Sequence, residues 1–455
     1  MQLFSIKAIS PIDGRYNQQV IDLKDIFSEY GFFKFRIEIE IKWLKKLAST
    51  KKIQELPSFD KDSNIFLENL ILNFNESDAL YIKEIEKKTN HDIKAVEYFL
   101  KEKIIQNKQL KSIAEFLHFS CTSEDINNLA YALMLKKART EIIIPCCKDL
   151  INLAKNLAYK YKKIPLLSRT HGQPATSTTM GKEIANFVYR MQNQLNIFEK
   201  IPIKGKINGA VGNYNAHFFA YPEINWINLS KEFVTDLGIT WNPYTTQIEP
   251  HDYIAEFLDC LVRFNNILID FTRDLWSYIS RNYFHQKTQL YEIGSSTMPH
   301  KINPIFFENS EGNLGLSNAI MIFLSNKLLK SRLQRDLTDS TVLRNLGVCI
   351  SYSIIAYKSF KKGIQKLEIN TTQLLKELNE NWAILAEPIQ TLMRRYGIKN
   401  SYEKLKTLTY GKHINKKEIK NFVETLKIPE ESKKKLKNLT PMNYLGCAIK
   451  LVENL

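Results

Sequence analysis

The stretch from His251 to Ile293, HDYIAEFLDCLVRFNNILIDFTRDLWSYISRNYFHQKTQLYEI, contains neither glycine nor proline. Apolar residues recur in it at steps of three and four, at Leu261, Phe264, Leu268, Phe271, Leu275 and Ile279. This spacing places one apolar stripe along the face of a helix. We therefore predict a long, core-facing helix between Pro250 and Gly294.

Chain breakers are scarce in the rest of the sequence as well. Glycine (16) and proline (14) make up about 7% of the 455 residues, against roughly 12% in average proteins. Four further long stretches are predicted to be helical: Ser123–Ile144, Cys146–Ile164, Lys182–Ile201 and Leu316–Leu346. We predict an all-α fold whose central domain is a long antiparallel helix bundle, with strands forming at most a minor hairpin.

Shorter helical patterns flank this central region. Asp22–Ala48 and His91–Lys103 place a small helical domain at residues 1–119, and the helices shorten again in a C-terminal domain at residues 364–455. The central domain then spans residues 120–363. Two stretches inside it resist a helical interpretation, Lys204–Asn242 and Gly294–Pro304, the second within a loop near residues 286–304. Irregular segments among rigid helices are frequent positions for functional residues.

The charge balance is basic, with 64 Lys and Arg against 48 Asp and Glu, a net charge of +16. Much of the excess is scattered lysine, and the densest run lies at Lys416, Lys417 and Lys420, then Lys433–Lys435 and Lys437. No interleaved aromatic residues accompany it, so a solvated helical face is favoured over a nucleic-acid surface. We expect no nucleic-acid partner.

The six cysteines, at positions 121, 146, 147, 260, 349 and 447, show no metal-ligand spacing and no disulfide framework. This pattern favours a reducing cytoplasm. No glycine-rich dinucleotide loop occurs, so neither a metal nor an organic cofactor is implied.

The first residues lack a signal-peptide pattern, and no apolar run approaches a membrane span. We expect neither targeting nor membrane insertion.

The sharpest local signal is Gly294–Pro304, GSSTMPHKINP. A glycine followed by two serines can turn its backbone N–H groups into one concavity that suits an anion. Lys301 and Asn303 add a charge and an amide. From composition alone, an ordinary loop rich in serine and proline between two helices is an equally good interpretation.

Two more segments concentrate hydrogen-bonding groups. In Ser168–Thr176, SRTHGQPAT, polar neighbours surround His171, although a lone loop histidine is by default structural. In Phe119–Asp125, FSCTSED, Thr122 and Asp125 have the spacing of a capping box at a helix start. A helix N-terminus also holds a carboxylate well, so capping and substrate binding can coexist there.

The patterns GSSxMPxKxNP and THxQ resemble the signatures of the fumarase/aspartase superfamily, whose members eliminate fumarate from succinyl compounds. Further motifs resemble the branch that acts on succinylated purine nucleotides: SPIDGRY at 10–16, KTNHD at 88–92, KINGAVGNY at 206–214, QIEPHD at 247–252 and RDLTDSTVLRN at 335–345. The resemblance implies an all-helical homotetramer in which three subunits build each active site. It also implies release of fumarate from N6-succinyl-AMP and from the succinylaminoimidazole carboxamide ribotide.

The resemblance assigns the chemical roles. Ser295 is the expected general base, with Ser296 as the alternative. His171 is the expected general acid, oriented by Glu308, and His91 is the competing candidate. Elimination next to a carboxylate needs both a base for the C–H and an acid for the departing nitrogen.

The resemblance also implies the binding residues. Lys301 and Asn303 are expected to face the succinyl carboxylate, with Thr122 and Ser123 holding a carboxylate. The phosphate and ribose contacts are expected from Arg15, Tyr16, Arg335, Ser340, Thr341 and Arg344. The base and succinyl contacts are expected from Asn90, His91, Asp92, Gln247 and Asn309.

Two alternatives stay open at this point. A sister lyase acting on argininosuccinate, aspartate or malate would have no use for a set of arginines suited to phosphate. A catalytically silent protein on the same fold, or a basic nucleic-acid binder, would not need Ser295, His171 and Lys301.

Overall fold

The computed structural model describes residues 6–288 and 292–455, and helices dominate it. In chain order the α-helices of these residues, α1 to α21, are Ile21–Phe27, Glu29–Ala48, Lys61–Leu72, Glu76–Thr89, Asp92–Ile104, Lys108–Lys111, Ser123–Ala138, Ile144–Lys160, Met180–Phe198, Asn215–Ala220, Trp226–Asp236, Asp252–Ser280, Ile305–Leu328, Thr338–Leu343, Leu346–Gln365, Thr371–Glu380, Ala386–Arg395, Ser401–Thr409, Lys416–Thr425, Glu430–Asn438 and Ala448–Glu453. A π-helical turn, Arg139–Ile143, joins α7 to α8. The predicted all-α class is confirmed.

The strands are short and form three two-stranded sheets within the described residues. In chain order, β1 to β6 are Pro165–Thr170, Gln173–Thr179, Lys204–Gly205, Thr240–Trp241, Phe284–Gln286 and Leu367–Ile369. The antiparallel β1–β2 hairpin is the largest, while β3 and β4 run parallel and β5 and β6 antiparallel. The prediction of at most a minor hairpin therefore missed two small sheets.

The predicted helix between Pro250 and Gly294 forms over α12 and ends at Ser280. Asn282 adopts a left-handed conformation with φ 62°, and the N–H of Tyr283 donates to the Tyr278 carbonyl at 2.8 Å. This is the geometry of a Schellman stop, which asparagine tolerates almost as glycine does. The prediction relied on the absence of glycine and proline, and it therefore made the helix too long.

The predicted Leu316–Leu346 helix is wrong in its second half. Helix α13 stops at Leu328, and the Asp336 carboxylate accepts N–H groups from Arg332 at 3.1 Å and Thr338 at 2.8 Å. An aspartate that bonds nearby backbone in this way competes with helical hydrogen bonds.

Two smaller corrections concern the N-terminal region and the Gly-rich stretch. Asp22–Ala48 breaks at Ser28, whose hydroxyl accepts the N–H of Gly31 at 3.1 Å and caps α2. The stretch Lys204–Asn242, predicted to be irregular, contains α10 and α11. Its glycines lie outside those helices.

The chain divides into two compact units. The first comprises the chain up to Cys147 together with Gln194–Asn265 and Gly312–Tyr357. The second comprises Lys148–Asn193, Asn266–Glu311 and Lys358–Leu455. The division falls within α8, α9, α12, α13 and α15, so each of these long helices contributes residues to both units. The three domains expected at 1–119, 120–363 and 364–455 remain a prediction.

Long helices pack together within each unit. In the first, the rings of Phe264 and Tyr357 meet with centroids 5.6 Å apart, and the buried Asn265 amide donates to Asn318 and Ser353 at 3.0 Å each. In the second, phenylalanine rings in stacked, tilted and edge-on pairs join α9, α12, α13 and α15: Phe187, Phe271, Phe307 and Phe360. Aromatic pairs at such separations add to the apolar burial that holds helices together.

Candidate active site

His171 occupies the tip of the β1–β2 hairpin in the second unit. Thr170 pairs with Gln173, so His171 and Gly172 form a two-residue turn, and both have left-handed backbones with φ 52° and 74°. Glycine adopts this conformation freely, whereas histidine does so at a cost of about 1 kcal/mol. The imidazole is exposed, so the fold presents it to solvent at a strained position.

The signature loop Gly294–Pro304 is free of helix and strand, as predicted. The Ser295 hydroxyl oxygen accepts N–H groups from Met298 at 3.0 Å and Thr297 at 3.4 Å. Hydrogen bonds to an oxygen favour its anionic form. The donors to Ser295 therefore come from the residues after the two serines, and not from the Gly294–Ser296 backbone that the sequence suggested.

The two ends of this loop meet at a narrow neck. A Cβ on Gly294 would collide with the Lys301 carbonyl oxygen, so only glycine fits there. The Asn303 amide donates to the Gly294 carbonyl at 2.9 Å, which holds the neck closed. In this conformation Asn303 supports the loop, while the side chain of Lys301 is exposed.

Glu308 lies in the first turn of α13, and Asn309 follows it. The Glu308 carboxylate accepts the indole N–H of Trp276 at 3.1 Å. Within residues 6–288 and 292–455 of one chain, no hydrogen bond or ion pair joins His171 to Ser295, Lys301 or Glu308. The single chain therefore holds these four groups in one unit without connecting them directly.

Thr122 and Ser123 lie at the start of α7 in the first unit. The Asp125 carboxylate accepts the Thr122 N–H at 2.8 Å, which confirms the predicted capping box. The same carboxylate pairs with Lys206 at 2.9 Å, and both side chains are fully buried. It also accepts the N–H groups of Asn208 and Gly209 at 2.9 and 3.0 Å. Asp125 and Lys206 therefore join the head of the helix to the KINGAVGNY segment.

Arg335 lies between polar groups of the same unit. Its guanidinium pairs with Glu124 at 2.9 Å and Asp339 at 3.5 Å, and another of its nitrogens lies 3.5 Å from the Gln247 amide oxygen. A guanidinium has five N–H donors, so these contacts leave donors available for a further anion.

Arg344 is another arginine expected at the phosphate. It pairs with Glu29 at 3.1 Å and with Asp92 at 3.4 Å, and Asp92 pairs more closely, at 2.6 Å, with the buried Arg36. Burial alone would raise the pKa of Asp92, but Arg36 and then Arg344 outweigh it and lower the pKa below its ordinary value. Asp92 therefore stays ionised and orients both guanidinium groups.

Arg36 links the hydrogen-bond networks around Arg335 and Arg344. It was not among the residues predicted from the sequence. Its Nε donates to Asn127 at 3.0 Å, and Asn127 donates to Glu124 at 2.7 Å, which binds Arg335. In the segment FFKFRIEIEI of α2, Arg36 alternates with other charged residues, so no local pattern marked it as buried. Glu124 and Asp339 also belong to this network and were not predicted.

Arg344 lines two neighbouring cavities. The larger, of about 310 Å³, also has Ser10, Asp13, Lys24 and Ser351 among its walls, and the smaller measures about 190 Å³. Of the other residues expected at the phosphate and ribose, Arg15 and Thr341 are exposed, and Tyr16 and Ser340 are half-buried.

Asn90 and His91 form the junction between α4 and α5. Asn90 ends α4 with a left-handed backbone, φ 52°. His91 caps α5, because its Nδ1 accepts the N–H of Lys94 at 3.2 Å. An imidazole that accepts at Nδ1 is neutral and can donate only through Nε2.

No group of three or more histidine, cysteine or acidic side chains with metal-binding geometry occurs in the described residues. None of the helices among them is long and apolar enough to cross a membrane.

Comparison with known families gives two consecutive matches. A family model described as lyase matches residues 14–319, and a model described as adenylosuccinate lyase C-terminal matches residues 331–445. The first match contains both candidate catalytic segments, and the second begins just before Arg335.

Curated relatives match the entire chain. Proteins named adenylosuccinate lyase from Buchnera aphidicola, Haemophilus influenzae and Escherichia coli are 62%, 61% and 60% identical to it over 455 residues. Each match covers 100% of both sequences.

Solved structures with low sequence identity share the architecture. A fumarate lyase from a Mesorhizobium species matches 95% of this chain and 97% of its own, with 16% identity and a TM-score of 0.74. A 3-carboxy-cis,cis-muconate lactonizing enzyme from Pseudomonas putida matches 100% and 98%, with 18% identity and a TM-score of 0.74. At this identity the likeness shows the fold alone.

Proposed function

Because the chain belongs to the adenylosuccinate lyase family, we propose that it eliminates fumarate from N6-succinyl-AMP, giving AMP. The same site would convert the succinylaminoimidazole carboxamide ribotide to the aminoimidazole carboxamide ribotide. The observation that carries this proposal is the identity of 60–62% with curated adenylosuccinate lyases over the whole chain. It extends through the segment that supplies Arg335 and Arg344.

We propose that Ser295 removes the proton from the succinyl carbon next to a carboxylate. The electron pair moves into that carboxylate, and the adjacent carbon–nitrogen bond then breaks. The N–H groups of Thr297 and Met298 support this role, because they stabilise negative charge on the Ser295 oxygen. Lys301 would face the doubly charged carboxylate of the intermediate, where its charge counts most.

We propose that His171 gives its proton to the departing nitrogen. His91 is the weaker candidate, because protonating its Nδ1 would break the bond that caps α5. A neutral His91 can instead donate a hydrogen bond to bound substrate through Nε2. Glu308 would orient His171 in the assembled protein, a contact that the single chain does not contain.

We propose that Arg335 and Arg344 bind the phosphate, together with Arg15, Tyr16, Ser340 and Thr341. Two guanidinium groups suit a dianionic phosphate, because each can donate two parallel hydrogen bonds. Asn90, Asp92, Gln247 and Asn309 would contact the base and the succinyl group. Thr122 and Ser123 would hold a carboxylate at the head of α7.

We propose a homotetramer in which three subunits supply each active site. On α13, Leu316 (52% exposed) and Phe323 (56%) lie two turns apart. A Cβ on Gly312 or Gly315 would meet none of the described residues within 4 Å. Exposed apolar side chains and small residues along one long helix suit packing against a second copy. The six free thiols support a reducing, cytoplasmic location.

The direct test is to mix the purified protein with N6-succinyl-AMP and to follow its absorbance together with fumarate release. We expect equal amounts of AMP and fumarate. Argininosuccinate, aspartate and malate serve as parallel substrates, and fumarate turnover with one of them alone would identify a sister lyase. A gel shift with duplex DNA in the absence of any lyase activity would favour the nucleic-acid binder.

A further inference from the structure

The turn that carries His171 has a side-chain support of its own. Arg169, in β1, reaches forward, and its Nη1 donates to the Gly172 carbonyl oxygen at 3.2 Å. Among the described residues, no other side chain makes a hydrogen bond to residues 170–173. The guanidinium of Arg169 is therefore the polar brace of the turn.

The other side of this guanidinium is attached to the C-terminal part of the second unit. Its Nη2 pairs with Glu377 of α16, whose second carboxylate oxygen accepts the hydroxyl of Tyr283. The side chains of Arg169 and Glu377 are only 22% and 15% exposed, so water screens the pair weakly. Burial, and then the Glu377 carboxylate, raises the pKa of Tyr283, which keeps the phenol protonated as a donor.

The conformation of the turn explains why it needs a brace. His171 and Gly172 both have left-handed backbones, and the hairpin ladder ends at the Thr170–Gln173 pair. A Cβ on Gly172 would meet no atom of residues 6–288 or 292–455 within 4 Å, so none of these residues packs against the turn at that point. An unbraced exposed turn with a histidine in this conformation would sample other backbone geometries.

We infer that Arg169 is a positioning residue for His171, held in place by Glu377 and Tyr283. This inference rests on the proposed function, in which His171 protonates the leaving nitrogen. A general acid must lie within hydrogen-bond reach of that nitrogen, and a displacement of about 1 Å can cost about 100-fold in rate. Losing the brace should therefore slow the chemical step and leave substrate binding nearly unchanged.

The test is a double-mutant cycle of Arg169→Gln and His171→Ala, with kcat and KM measured for N6-succinyl-AMP. In the wild-type background, we expect Arg169→Gln to lower kcat about 10- to 100-fold with KM within about threefold. In the His171→Ala background, the same change should cost less than about twofold, because the group it positions is gone. Equal losses in both backgrounds would overturn the inference and make Arg169 a purely structural residue.

Two further variants serve as controls. Ser177→Ala removes the hydrogen bond at 2.5 Å from the same hairpin to the Pro441 carbonyl, away from the turn, and should leave kcat within about twofold. Arg169→Lys keeps the charge without the forked geometry and should recover only part of the activity. A kcat as low in Ser177→Ala as in Arg169→Gln would show that any loosening of the hairpin lowers kcat, and it would overturn the specific role of Arg169.

Amide hydrogen exchange separates this inference from the proposed function, because it needs no turnover. Arg169→Gln should speed exchange at residues 170–173 and leave the far end of the hairpin protected. Unchanged exchange at the turn would overturn the inference even in an active enzyme. If exchange sped up but the wild-type protein did not act on N6-succinyl-AMP, Arg169 would brace a turn whose histidine is not the acid. That outcome would reject both proposals.

Discussion

The two serines of the signature loop have different surroundings. Ser295 is half-buried and its oxygen receives two backbone N–H groups, whereas Ser296 is exposed. A serine hydroxyl is a poor base until it is ionised, so the oxygen with preorganised donors is the better candidate.

We predict that Ser295→Ala lowers kcat by at least about 100-fold, because the group that removes the proton is lost. Binding of N6-succinyl-AMP should stay nearly intact, since the anion contacts lie on other side chains. Steady-state kinetics and calorimetry on the same variant measure the two effects. Ser296→Ala is the matched control, and a more severe loss in it would transfer the base role to Ser296.

Arg335 gives a prediction about the phosphate. If Arg335 bonds the phosphate, Arg335→Leu should weaken transition-state binding of N6-succinyl-AMP by about 1.5 to 3 kcal/mol beyond any general loss. The change also leaves the buried Glu124 without its ion pair, which should affect every substrate equally. The dephosphorylated substrate measures that shared part, so kcat/KM for both substrates isolates the phosphate contribution.

Arg332→Leu is the control for this cycle, because Arg332 lies in the same segment with its side chain 81% exposed. This substitution should leave kcat/KM unchanged for both substrates. Equal losses with and without the phosphate in Arg335→Leu would assign Arg335 to the fold or to the succinyl end.

At the element scale, the short helix α10 illustrates burial of a titratable side chain. His217 is fully buried against the edges of Trp43 and Trp226, and neither ring nitrogen has a hydrogen-bond partner among the described residues. Burial lowers the pKa of His217 to about 4, so the imidazole is neutral in the folded protein at neutral pH.

We predict that His217 makes the protein less stable in mild acid. Below its pKa near 6.5, this histidine is protonated in the unfolded chain, whereas in the folded protein it stays neutral down to about pH 4. Stability is therefore fully present above about pH 6.5 and falls until about pH 4, by a total of about 3 kcal/mol. His217→Phe should flatten this part of the urea-unfolding profile, measured at one fixed protein concentration. The exposed His413→Phe is the control, and an unchanged profile in His217→Phe would reject the assignment.

Local signals located the helices better than their ends. The apolar stripe from Leu261 to Ile279 correctly placed α12, because the spacing of apolar residues along the sequence directly reflects which face of a helix is buried. The stop after α12 at Asn282 and the non-helical turn around Asp336 were missed, because each depends on one backbone or side-chain geometry that many asparagines and aspartates never adopt.

At the scale of the whole molecule, the candidate groups are distributed over the chain. His171, Ser295 and Lys301 belong to the second unit, and Arg335, Arg344 and Asp92 belong to the first. In a homotetramer with shared sites, different subunits would supply groups to one active site.

We predict that mixing inactive Ser295→Ala and His171→Ala proteins under subunit exchange restores activity. If one site takes these two residues from different subunits, random mixing leaves about a quarter of the sites intact. Fumarate release before and after exchange measures the recovery. Ser295→Ala protein treated alone should stay inactive, and no recovery despite exchange shown by mass spectrometry would argue against shared sites.

The amino-acid pattern was enough to predict the helical class, a loop position for His171 and an irregular signature loop. Periodicity and scarce chain breakers act locally, and the motif residues are adjacent in the chain. Only the tertiary structure revealed that Arg36 and Asn127 connect Asp92 to Glu124 and Arg335, and that Glu377 and Tyr283 hold Arg169. These partners lie far apart in sequence, and a charged residue becomes part of a network only when folding buries it beside its counter-charge.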